Sequence, residues 1–355
     1  MKQNLLKKEF ENVVVDYVQA TSHYYPILKA KRGQLKALKE LTDETKKSTT
    51  PILELLADSS ENIKRYLNNY WCFKNNKVFL DPYIAFSEGN SFFDFKNIYD
   101  FLTSNGVNVI PVLRLDYTEE RLKSIKRLIG RKREIAVRVT KNQIKPRIFD
   151  STIERLTSIL KCDLSDISLI IDFSFIDSSS VDTAIVSAET LLQYIESANF
   201  LNVIIAAGSF VKDLSNISPD TVVVHNRHEW DMWQELINSG EHSTLLSYAD
   251  YATRHPIYDG SPQSFSGSSS IRYTGEKGFV ILRGHKPGNH PDGMGQYHKK
   301  CSLLLSNANY DGHNFSWADA EIYDCASRNE RSGNPETWVT ISTARHMEKL
   351  VNLLA

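Results

Sequence analysis

The stretch Tyr24-Tyr25-Pro26-Ile27-Leu28-Lys29-Ala30-Lys31-Arg32-Gly33-Gln34 constrains the fold most. A short apolar run ends on two lysines two residues apart, breaks at a glycine and opens a helical pattern. Residues two apart on a strand share a face, so Lys29 and Lys31 point with Ile27, opposite Pro26, Leu28 and Ala30. The same grammar returns at Thr49–Leu55, Val78–Asp81, Val107–Asp116, Glu134–Thr140, Ile167–Phe173, Val203–Gly208 and Thr244–Asp250. Helical patterns separate these runs, the first from Gln34 to about Lys47 with Leu35, Leu38 and Leu41 on one stripe.

Strands alternating with helices require crossovers and hence a parallel sheet. Eight such units over about 230 residues suit a closed eight-stranded barrel. An open doubly wound sheet usually carries a Gly-rich phosphate turn, and neither G-x-G-x-x-G nor G-x-x-x-x-G-K-[ST] occurs. The expected fold is therefore a (β/α)8 TIM-like barrel with an N-terminal helix, together spanning residues 1–254. Residues 255–355 form an α+β extension, a hairpin plus helices capping the C-terminal mouth. Its hairpin pairs Ile271–Thr274 with Phe279–Arg283 across Gly275-Glu276-Lys277-Gly278, after a Gly/Ser-rich loop at Asp259–Ser270.

Composition narrows the function classes. Charged residues make up 24% of the 355, yet the formal net charge is -1, which argues against nucleic-acid binding through bulk charge. No stretch nears the 18 or so apolar residues of a membrane span, and the N-terminus lacks the apolar core of a secretory signal. Cys72, Cys162, Cys301 and Cys325 are scattered without a C-x-x-C pair, as in a reduced, cytoplasmic protein.

Barrel active sites lie at the C-terminal strand ends. If the charged residue near each strand end faces the axis, parity turns Ala136, Arg138 and Thr140 inward, with Ser168, Ile170 and Asp172, and Ile110, Val112, Arg114 and Asp116. The mouth then collects Lys29, Lys31, Glu54, Asp81, Arg114, Asp116, Arg138, Thr140, Asp172 and Asp250. Clustered charges must pair with each other or with a ligand. One reading is a pocket in which Lys29, Lys31, Arg114 and Arg138 grip phosphate or carboxylate; the other is a self-neutralising plug. Arg272 and Arg283 of the hairpin, with Tyr251, Glu54 and Asp81, complete the candidate ligand contacts.

Asp172, Asp250 and His255 are the candidate acid/base groups, and a hydrolase acting on phosphoester or glycosidic bonds fits carboxylates beside cations. Asp81, Asp172 and Asp250 are the residues suited to magnesium, although the cofactor stays unknown. Lys29 also admits a Schiff-base role. His285, His290, His298 and Asp292 match no structural zinc spacing and read as solvated loop residues. Trp230 and Trp233 read as core, and the run Lys123, Lys126, Arg127, Arg131, Lys132 and Arg133 as a solvated helix face.

Taken together, the motifs resemble the bacterial and phage "beta protein" family. The resemblance rests on Tyr25-Pro26-Ile27-Leu28-Lys29-Ala30-Lys31-x-Gly33-Gln34, Pro51-x-x-Glu54, Arg227-x-Glu229-Trp230-x-x-Trp233, Asp250-Tyr251-x-x-x-His255-Pro256, Ile271-Arg272-Tyr273-Thr274 with Arg283-Gly284, and Gly333-Asn334-x-x-x-Trp338 near His346. Gln34 stands where the resemblance implies Glu. The resemblance implies a phage or mobile-element context and carries no reaction with it. The expected function is binding, with or without hydrolysis, of an anionic ligand derived from a nucleotide or nucleic acid. The alternative is a non-catalytic scaffold that binds a protein partner in phage–host conflict.

Overall fold

Each of the eight repeated runs finds a parallel partner on both sides in the computed structural model of the protein. It describes residues 22–67, 71, 76–131, 134–143, 146–239, 245–258, 267–327 and 332–355. The strands are β1 (Tyr24–Lys29), β2 (Ile52–Glu54), β3 (Lys77–Asp81), β4 (Asn108–Leu113), β5 (Ile135–Thr140), β6 (Ile167–Phe175), β7 (Asn202–Gly208), β8 (Val222–Asn226), β9 (Leu246–Asp250), β10 (Ile271–Thr274) and β11 (Gly278–Leu282). All but β8, β10 and β11 close a barrel, in which β9 pairs with both β7 and β1. The fold is therefore an eight-stranded parallel β/α barrel with a largely helical C-terminal region.

Period-two alternation splits each strand between two cores. Ile27, Ile52, Phe79, Ile110, Val112, Ala136, Ile170, Ile204, Ala206 and Ala249 fill the barrel interior. Leu28, Leu53, Leu80, Val137, Leu169, Val203 and Tyr248 face outward under the helices. Two expectations on β4 need correction. The strand stops at Leu113, and Asp116 is exposed rather than turned to the axis.

The helix expected over Gln34–Lys47 is two, Arg32–Ala37 and Asp43–Lys47. Thr42 breaks it: its hydroxyl caps the second piece by accepting the Thr45 N–H. The Glu348 carboxylate then takes the Thr42 N–H at 2.6 Å and the Thr45 hydroxyl at 2.6 Å. Glu348 lies on the C-terminal helix Pro335–Leu354, whose Thr340 also donates to the Gly33 carbonyl at 3.0 Å. That helix packs along β1 and the helix Arg32–Ala37, so the chain's last element covers the barrel flank beside β9.

The hairpin β10–β11 forms as expected and gains a strand that the sequence reading missed. β8 pairs antiparallel with β11, Phe279 opposite His225 and Val280 opposite Val224. The sheet of the C-terminal region thus takes its edge from a segment between two barrel strands. The N-terminal helix, Cys72, Lys132, Arg133 and residues 259–266 lie outside the described residues. Among the described residues, no helix is long and apolar enough to cross a membrane, and Cys162, Cys301 and Cys325 are free thiols.

Candidate functional site at the barrel mouth

The top layer of the barrel is built by inward residues at or near the ends of β1 to β6 and of β9. Lys29 of β1 pairs with Glu54 of β2 and donates to the Pro256 carbonyl at 3.2 Å. Arg138 of β5 lies at the centre, 2% exposed. Its guanidinium reaches Glu54 at 3.0 Å, Asp81 of β3 at 2.9 Å and Asp172 of β6 at 2.7 Å. Arg114 closes on Asp81 from beyond β4. Tyr251, following β9, donates its hydroxyl to Asp172 at 2.7 Å.

Three cations thus meet three carboxylates, and the layer neutralises itself. Burial pushes Asp81 and Asp172 up, yet the facing guanidiniums outweigh it and hold both below the usual carboxylate range. Burial opposes the Arg138 charge in the same way and is overcome by Tyr251 and the three carboxylates, so its pKa rises. These residues form the plug foreseen as the alternative to an open pocket. The facing guanidiniums thus favour the ionised forms of Asp81 and Asp172.

Asp250 is not in this layer. On β9 the interior positions are Ser247, Ala249 and Tyr251, so Asp250 faces outward beneath the C-terminal helix. There it accepts from the Tyr24 hydroxyl at 2.6 Å and the Tyr248 hydroxyl at 3.0 Å, with His346 Nε2 at 2.8 Å. Burial raises its pKa, but the His346 and Arg227 charges and these hydrogen bonds prevail, leaving it at about 2. The acid/base set Asp172, Asp250 and His255 is therefore not assembled, because the barrel wall separates Asp250 from the others. The magnesium set fails for the same reason, and Arg138 occupies the space between Asp81 and Asp172. Among the described residues no group of three or more His, Cys, Asp or Glu is placed to hold a metal ion.

Above the plug, two strand ends bend over the mouth. Asp172 accepts the Ser174 N–H at 2.8 Å and Asp250 the Ala252 N–H at 2.9 Å. Ser174 and Ala252 adopt φ of 57° and 50°, a left-handed backbone that L residues adopt at a cost. The first turn throws Phe175 over the rim; the second lays Thr253–Tyr258 across it. Pro256 then packs where a Cβ on Gly208 would stand, 3.0 Å from its ring.

This upper level carries Arg254 and Arg272, both half-buried. Arg272 donates to the Thr253 carbonyl at 2.8 Å and lies 4.6 Å over the Phe210 ring. Burial lowers the Arg254 pKa to about 10, and burial together with the Arg254 charge lowers that of Arg272 to about 9. Among the described residues no carboxylate pairs with either. Lys31, its pKa also lowered by burial, sits 5.1 Å over the Tyr258 ring at the rim. His255 lies against Phe175, ring centroids 4.8 Å apart.

The candidate residues therefore divide by level. Lys29, Glu54, Asp81, Arg114, Arg138, Asp172 and Tyr251 make the plug; Lys31, His255 and Arg272 line the rim above it. Arg283 belongs to neither, its guanidinium donating to the Ser215 and Ile217 carbonyls. The histidine cluster divides too: His285 stacks on His290 at 5.4 Å, while His298 faces the Cys325 carbonyl at 2.6 Å. Sequence reasoning passed over Arg254 and Phe175. Arg254 stands in the Asp250–Pro256 motif, but only the fold sets it beside Arg272; Phe175 lies two residues past the expected end of β6.

Comparison with curated proteins gave no match. Among solved structures, the chain is similar to two mutant tryptophan synthase alpha-subunits from Pyrococcus furiosus. One is 12% identical with TM-score 0.39, the other 10% with TM-score 0.40; each match covers 66% of this chain and 89% of the other. A family model described as Beta protein matches residues 24–352, from the first barrel strand to the C-terminal helix. The chain belongs to the Beta protein family.

Proposed function

We propose that the barrel mouth binds an anionic, phosphate-bearing ligand. The observation that carries this reading is the Arg254–Arg272 pair: Arg272 donates to the carbonyl of Thr253, next to Arg254, whose charge adds to burial in lowering the Arg272 pKa, and neither guanidinium meets a carboxylate among the described residues. Two like charges drawn out of water are costly, and an anion between them offsets the desolvation and screens the repulsion. Guanidinium forks suit phosphate, and Lys31 adds a third cation at the rim. The neutral plug beneath gives such a ligand a rigid floor. Its carboxylates are committed to Arg114 and Arg138, which favours binding over acid–base hydrolysis.

The test is a thermal-shift and calorimetric titration with inorganic phosphate and nucleotides. Saturable stabilisation is expected in the native protein, weakened at least tenfold in Arg254→Gln and Arg272→Gln. Absence of any phosphate effect in the native protein would sink the reading and favour a barrel that serves as a scaffold for another protein.

A further inference from the structure

We infer that the ligand of the mouth is a nucleotide whose base stacks on Phe175 and His255 while Arg254 and Arg272 hold its phosphate. This deepens the phosphate reading and rests on it. The two aromatic rings lie 4.8 Å apart and 32° from parallel, both half-buried. Neither is there as part of the barrel core. Phe175 reaches the rim only because β6 runs past Asp172 with a register shift and turns at Ser174, whose φ is 57°. His255 is fixed next to Arg254 by accepting the Ile257 N–H at 3.2 Å.

The two pairs belong to one wall. Phe175 is in register with Gly208, Pro256 and Tyr251 close over Gly208, and Arg272 binds Thr253 while covering Phe210. A guanidinium pair beside a half-exposed aromatic pair calls for a ligand with an anion at one end and a flat ring at the other. Base stacking on aromatic side chains is tolerant of sequence, since every base has a π face. Stacking and a guanidinium grip recognise a planar ring and a phosphate, features common to every nucleotide.

The experiment measures Kd by calorimetry on the full chain for inorganic phosphate, ribose 5-phosphate and the nucleoside 5′-monophosphates. Nucleotides are expected to bind about tenfold tighter than ribose 5-phosphate, from stacking alone. Phe175→Leu is expected to erase that ratio and keep the affinity for ribose 5-phosphate, whereas Arg272→Gln weakens all three ligands. Equal affinity for ribose 5-phosphate and the nucleotides in the native protein overturns the base site and leaves the phosphate site standing; no binding of any probe overturns both. Because the native ratio decides, a poorly folded Phe175 variant does not blunt the test. A 5′-phosphorylated single-stranded oligonucleotide compared with its own mononucleotide tells whether the unit arrives free or as a strand end.

Discussion

Arg138 answers three carboxylates with one guanidinium, and its loss leaves Glu54, Asp81 and Asp172 buried with only Lys29 and Arg114 to neutralise them. Breaking such a network from one side costs more than the network contributes, because the remaining charges stay desolvated. Arg138→Ala is expected to lower stability by about 4 kcal/mol in urea unfolding at neutral pH. Asp250 makes a second residue-scale case. Its folded pKa of about 2 lies below the unfolded carboxylate value. The stability it supplies is thus complete above about pH 4 and is lost as pH falls toward 2. Asp250→Asn should be less stable at pH 7 and should lose part of the native protein's acid sensitivity between those values; an unchanged stability–pH curve would contradict the assignment.

At the scale of elements, the ends of β6 and β9 show how a barrel strand becomes a site wall. Each carries, at or near its end, an Asp whose one oxygen caps a left-handed turn while the other serves a charge network. Asp172 ties the turn at Ser174 to the plug, and Asp250 ties the turn at Ala252 to His346 of the C-terminal helix. Ala252→Val should therefore be costly, since a branched side chain tolerates φ near 50° poorly; about 2 kcal/mol is expected from the lowered melting temperature. The end of β11 is tight for a different reason. A Cβ on Gly284 would stand 2.4 Å from the Ser269 carbonyl oxygen and 2.5 Å from Lys300 Cε. Gly284→Ala is expected to destabilise the protein by about 2 kcal/mol, through overpacking rather than through loss of a contact.

At the scale of the whole molecule, the C-terminal region is joined to the barrel by shared structure. β8 lies between two barrel strands in sequence yet completes the sheet of β10 and β11. The C-terminal helix covers the outward face of β1 and β9, where Tyr24, Tyr248 and Asp250 are buried at 0%, 1% and 1% exposure. Cutting the chain after Ser332 would open that network to water and strip a helix from the barrel wall. Far-UV dichroism and tryptophan fluorescence should trace one coincident unfolding transition for the full chain, and the truncated chain should fail to show it. Two separated transitions would mean that the barrel stands without its last helix.

Much of this architecture is written locally. The eight strand–helix repeats, the inward parity of Lys29, Arg114, Arg138 and Asp172, and the Gly275–Gly278 turn follow from periodicity and backbone chemistry, which act over a few residues. What escaped depends on contacts between distant segments. Nothing near Val222–Asn226 announces that its partner lies more than fifty residues later, and β8 was invisible for that reason. Parity from a charged strand end misplaced Asp250 because Tyr251, one residue on, carries the polar tip into the plug, while His346 from the last helix makes the outer position hospitable to a carboxylate. The sequence alone determined that charges converge at the strand ends; only the tertiary structure decided which cancel one another and which, at Arg254 and Arg272, stay without a carboxylate among the described residues. Pairing of charges is a matter of ångströms in space, and spacing along the chain does not encode it.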